Sequence, residues 1–85
     1  MEVGFNTDIE YSGSKYHVQT EDWGRNNPFL VTKIFQNGAV VKSVKTSYWQ
    51  VLVEGTAADS QAVRLALRDQ HKRILDRLLS GQFDW

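Results

Sequence analysis

Asn37-Gly38 separates two runs rich in β-branched and aromatic residues, Phe29 to Gln36 and Ala39 to Thr46. No other short signal in the chain restricts the fold so strongly. A two-residue turn between paired strands needs positive φ at both central positions, and Asn-Gly meets that need at little steric cost. The spacing therefore predicts an antiparallel hairpin. With a regular two-residue loop, one face pairs Ile34 with Val41, Thr32 with Ser43 and Leu30 with Lys45. The other pairs Phe35 with Val40, Lys33 with Lys42, Val31 with Val44 and Phe29 with Thr46.

A second hairpin precedes it. From Val3 to Tyr11 the odd positions are mostly apolar and the even ones mostly polar, and the alternation resumes from Lys15 to Glu21 after Ser12-Gly13. That period of two is the mark of a half-buried strand. The turn puts Ile9 opposite Tyr16, Thr7 opposite Val18 and Phe5 opposite Thr20. On the opposite face it sets Glu10 against Lys15, Asp8 against His17 and Asn6 against Gln19, attractions of about 0.2–1 kcal/mol each where the charges differ. Asp22 to Pro28 has the turn chemistry of a connecting loop.

The remainder reads as helix. Ser47 and Gln50 have the spacing of a capping box, and Gly55 stands where a helix would stop, so a short helix is expected over Tyr48 to Glu54. The β propensity of Val51-Leu52-Val53 leaves a strand extension open as the alternative. Thr56 or Asp59 then caps a longer helix that runs to about Ser80 and stops at Gly81. Its apolar stripe is Val63, Ala66, Leu67, Ile74, Leu75 and Leu78, and Asp69 with Arg73 and Lys72 with Asp76 form i,i+4 pairs on the other side. The expected fold is α+β, a four-stranded antiparallel sheet of two hairpins followed by a short and a long C-terminal helix packed on one face. All 85 residues form one domain, with hairpins over 1–46, a helical part over 47–81 and a tail over 82–85.

Composition narrows the function classes. Ten Lys and Arg balance ten Asp and Glu, so no bulk field draws the chain to nucleic acid or an anionic membrane. The absence of cysteine excludes a disulfide framework and thiolate metal sites, and suits the cytosol. Apolar runs are too short to span a membrane, and the first residues lack a signal-peptide pattern. Neither histidine belongs to a ligand set: His17 reads as a surface partner of Asp8, and His71 as a hydrogen-bonded residue at the edge of the core beside Gln70. Arg64 and Arg68 are one helical turn apart on a solvated face, and no phosphate-binding glycine loop or nucleophile motif is present. No catalytic residue, cofactor or metal is assigned.

The second hairpin carries the functional expectation, because both of its faces are apolar while one helix covers only one side of a sheet. Phe29, Val31, Phe35, Val40 and Val44 are the expected contact residues, with Lys33 and Lys42 setting charge preference. The expected role is a non-catalytic assembly module that pairs with itself or another protein. Second in order comes a single-stranded nucleic-acid or phosphate binder on the same face, with Tyr48 as a flanking aromatic. The aromatic tail, Phe83 to Trp85, would either cover the face or dock elsewhere.

The strings Phe5-Asn6-Thr7-Asp8-Ile9, Tyr16-His17-Val18-Gln19-Thr20-Glu21-Asp22, Asn27-Pro28 and Lys45-Thr46-Ser47-Tyr48, with Thr32, Gly38, Gln70-His71-Lys72 and Ile74-Leu75, form a pattern over most of the chain. It resembles an uncharacterised group of small bacterial proteins, also found as N-terminal modules of longer ones. The resemblance implies a bacterial origin, an accessory role and a cytoplasmic setting, and carries over no activity or site residue.

Overall fold

A computed structural model describes residues 4–53, 55 and 59–82. Strands β1 (Gly4–Tyr11), β2 (Ser14–Asp22), β3 (Phe29–Gln36) and β4 (Ala39–Ser47) are followed by helices α1 (Tyr48–Val51) and α2 (Ser60–Leu79). The strands form one antiparallel sheet in the order β1-β2-β3-β4, so each strand pairs with its neighbours in sequence. The molecule measures 43 × 23 × 17 Å, a thickness that accommodates the sheet and one layer of helix. No helix among the described residues is long and apolar enough to cross a membrane.

Both hairpin turns have the backbone the sequence asks for. Ser12 and Gly13 have φ of 53° and 82°, and Asn37 and Gly38 have φ of 54° and 80°. The first hairpin keeps the expected register from Gly4↔Glu21 to Tyr11↔Ser14. The second does not. Gln36↔Ala39 and Phe35↔Val40 pair as expected, but the next pair is Ile34↔Lys42, and Val41 is left over as a bulge. From there Lys33 faces Ser43, Thr32 faces Val44 and Val31 faces Lys45. The expected Lys33–Lys42 and Val31–Val44 pairs are therefore corrected. A one-residue slip reverses the facing of every later side chain, and this slip turns Val44 toward the helix, where it packs on the core. It also parts two lysines that a regular ladder would set side by side.

α1 is one turn, shorter than the expected helix to Glu54, which itself lies outside the described residues. Gln50 Oε1 accepts from the Ser47 backbone N–H at 2.9 Å and from the Ser47 hydroxyl at 3.2 Å, which anchors the start. Leu52 donates to the Tyr48 carbonyl and is already extended, at φ −102° and ψ 141°. The run Val51-Leu52-Val53, with its two β-branched valines, thus leaves the helix after one turn without adding to β4. α2 is capped by Asp59, whose carboxylate accepts from the Gln61 and Ala62 N–H groups at 3.0 and 3.3 Å. It ends at Ser80, with Gly81 at φ 79°. Thr56, the alternative cap, and the Phe83 to Trp85 tail lie outside the described residues.

α2 packs on β1, β2 and β3 through Val63, Leu67, Gln70, His71, Ile74 and Leu78. One core cluster holds Val18, Ile34, Ile74 and Leu78, and another Leu30, Tyr48, Val63 and Leu67. Tyr48 is thus a core residue, 2% exposed, and not a flanking platform. Its hydroxyl donates to Asp22, and burial followed by that carboxylate raises its pKa above the ordinary tyrosine value. Asp22 also accepts from the Gly24 N–H at 2.9 Å, so one carboxylate ties the 23–28 loop to α1.

Candidate binding face of the sheet

The sheet has one face under α2 and one that no other described element covers. Alternation along each strand assigns side chains to the open face in cross-strand rows. One row is Asp8, His17, Phe35 and Val40; the next is Asn6, Gln19, Lys33 and Ser43; the third is Gly4, Glu21, Val31 and Lys45. Of the seven expected contact residues, Phe29, Val31, Lys33, Phe35 and Val40 share this face, whereas Lys42 and Val44 stand on the helix side because of the bulge. Val31 is 2% exposed between Glu21 and Lys45, so it forms the floor of the face and offers no contact area. Val40 is 51% exposed at the strand edge.

Two clusters shape the ends of this face. At one end Lys45 Nζ lies 4.2 Å from the Phe29 ring centre and 5.2 Å from that of Trp23, a cation between two aromatic faces. At the other, His17 Nδ1 and Asp8 Oδ1 are 2.8 Å apart, and the His17 ring stands 6.0 Å from Phe35. This is the surface pairing expected from the first hairpin. The β2–β3 ladder stops at His17↔Phe35, and beyond it the two hairpin tips separate. Their gap, about 740 Å³, is lined by Glu10, Lys15, Tyr16, His17, Phe35 and Asn37 among others and opens broadly to solvent. An imidazole oriented by a carboxylate can serve as a general base when a nucleophile faces its other nitrogen. Among the described residues the hydrogen bond of His17 is to Asp8.

Charge is segregated across the open face. Asp8, Glu10 and Glu21, against Lys15 alone, occupy the β1–β2 half, while Lys33 and Lys45 occupy the β3–β4 half. One half is acidic, the other basic, and the two nearly cancel.

The covered face holds a polar chain that periodicity hides, because its members occupy apolar positions. Gln70 Nε2 donates to the Leu30 carbonyl at 3.3 Å and to Thr32 Oγ1 at 3.0 Å. Thr32 and Thr20 hydroxyls are 2.8 Å apart, Thr20 lies 2.7 Å from His71 Nδ1, and His71 Nε2 lies 2.8 Å from Thr7 Oγ1. Only the amide nitrogen of Gln70 suits a carbonyl neighbour, so the direction is set at that end. Thr32 therefore accepts from Gln70, and a neutral ring satisfies the remaining steps, between Thr32 and Thr20, Thr20 and Nδ1, and Nε2 and Thr7, with one ring nitrogen donating and the other accepting. Burial, and secondarily the His17 charge, lowers the His71 pKa, which favours the neutral ring with one nitrogen free to accept. His71 is therefore the hydrogen-bonded core-edge residue expected. The threonines alternate at helix-facing strand positions, and that pattern was the available signal. Among the described residues, no group of three or more His, Cys, Asp or Glu side chains could hold a metal ion. Comparison with protein-family models, with curated proteins and with solved structures finds no match to this chain.

Proposed function

We propose that this protein is a non-catalytic assembly module that pairs with a second copy of itself through the open face of its sheet. The observation that carries the reading is the charge segregation about a partly apolar centre. A twofold axis between two such faces, parallel to the strands, lays the acidic β1–β2 half of each copy over the basic β3–β4 half of the other. Phe35 and Val40 then meet Asp8, His17 and their surroundings from the partner copy, under an edge of complementary charge. A rotation about an axis across the strands would stack acid on acid, so the pattern favours one orientation. A nearly neutral face offers little attraction to a polyanion, which places single-stranded nucleic acid second despite the Lys45, Phe29 and Trp23 cluster. Lack of cysteine and the bacterial resemblance support a cytoplasmic accessory role.

The test is absolute mass by light scattering after size exclusion. The unaltered chain should run as a dimer, and Phe35→Asp as a folded monomer with unchanged helicity. Lys33→Glu with Lys45→Glu, and Asp8→Lys with Glu21→Lys, should each be monomeric alone and form a heterodimer when mixed. A dimer that survives Phe35→Asp, or a mixture that stays monomeric, would refute the reading.

A further inference from the structure

The end of α2 and the gap between the hairpin tips meet at one end of the sheet. Leu78, near the end of the helix, sits in a cluster with Val18 and Ile34, and Ile9 and Tyr16 pack on that cluster. The same two side chains line the gap of about 740 Å³, together with Phe35 and Asn37 of the second hairpin. The chain then leaves the helix beside the first hairpin tip. Gly81 passes so close to Tyr11 that a β-carbon there would lie 2.6 Å from the Tyr11 hydroxyl, and the Gln82 N–H donates to the Arg77 carbonyl at 2.9 Å.

Phe83-Asp84-Trp85, outside the described residues, comes next in the chain. Two arguments match it to the gap. The first is reach. Three extended residues span about 10 Å, whereas the way from β1 to the space between β2 and β3 is about one and a half strand spacings, or roughly 7 Å. The second is chemistry. Ile9, Tyr16 and Phe35 are only half-buried, and the β2–β3 ladder ends at His17↔Phe35, so the gap shows water an apolar and aromatic surface that a ring can cover. An extended Phe-Asp-Trp presents both rings on one side and the carboxylate on the other.

We infer that the gap between the hairpin tips takes Phe83 and Trp85 of the same copy, both rings against Ile9, Tyr16 and Phe35 and Asp84 turned to water. The seat lies past the last β2–β3 pair. Phe35 borders both it and the proposed pairing face, but the inference does not rest on the pairing of two copies.

The test is nuclear magnetic resonance on the full chain labelled with ¹³C and ¹⁵N. Nuclear Overhauser contacts should join the Trp85 indole and the Phe83 ring to the Ile9 methyls and the Tyr16 ring. Isotope-filtered spectra of a labelled and unlabelled mixture should place those contacts within one copy. Trp85→Ser should shift the amides of Lys15, Tyr16 and Asn37, leave those of Lys33 and Val63 in place, and keep the light-scattering mass of the unaltered chain. Ring contacts to Lys33 and Val40 instead, contacts found only between copies, or tip amides indifferent to Trp85→Ser would each overturn the proposal. So would a changed mass, since Trp85 would then serve the pairing. The mass of the unaltered chain bears on the pairing alone, so the two readings fail separately.

Discussion

The two faces of one sheet invert the usual association of polar with outside and apolar with inside. Under α2 lie Thr20, Thr32, Gln70 and His71, all buried, while on the open side Val40 is half exposed. The covered face tolerates polar groups because each hydroxyl and ring nitrogen of the chain from Gln70 to Thr7 has a partner at hydrogen-bond distance. The open face exposes apolar surface that no other described element covers. Burial is thus set by which partners are in reach, and a half-satisfied chain in the covered layer would be costlier than an apolar one.

Substitutions that attack the covered face should have the largest effects. Leu67→Ala removes a side chain with no exposure and should cost about 2–5 kcal/mol, read from urea unfolding. Thr20→Val keeps the shape but strands the Thr32 hydroxyl and His71 Nδ1, and should cost about 1–3 kcal/mol by the same measurement. Combined with His71→Leu, it should lose less than the two single effects added, because both break the same chain. If the effects add fully, the chain does not act as a unit.

The same network predicts a pH dependence. Burial holds the folded-state pKa of His71 below the unfolded value, so below about 6.5 the unfolded chain binds more protons than the native one. Stability from the neutral ring is therefore whole above that pH and declines as pH falls toward the folded-state value. The urea midpoint should drop on going from pH 7.5 to 5, and His71→Gln should flatten that drop.

Smaller effects distinguish the hairpins. Deleting Val41 should be tolerated within about 1 kcal/mol, because it leaves Phe35↔Val40 and Ile34↔Lys42 as consecutive pairs in a regular ladder. Deleting Val44 instead should cost several times more, since it turns one end of β4 over. Thermal melts of the two deletions decide between them. Least of all, Asp69→Asn breaks an exposed pair with Arg73 and should change stability by no more than about 0.5 kcal/mol.

Local chemistry made much of this legible in advance. Asn37-Gly38 and Ser12-Gly13 turn the chain because few residue pairs accept positive φ twice, and Asp59 caps α2 because its carboxylate meets open N–H groups. The first hairpin could be registered from alternation, since a slip would expose Val18 and Ile9 and bury charged neighbours. The second could not. Both of its faces are rich in apolar residues, so two registers satisfy the pattern equally, and five of seven expected contact residues reached the open face while Lys42 and Val44 did not.

What the amino-acid order determined by itself was therefore the set of elements, their turns and caps, and the stripe of α2, all governed by interactions within a few residues. The bulge at Val41, the chain from Gln70 through Thr32, Thr20 and His71 to Thr7, and the gap between the hairpin tips came only with the tertiary structure. The last two join residues far apart in sequence, and the bulge lies in a hairpin whose two registers differ in which side chains meet the helix, a choice made by packing.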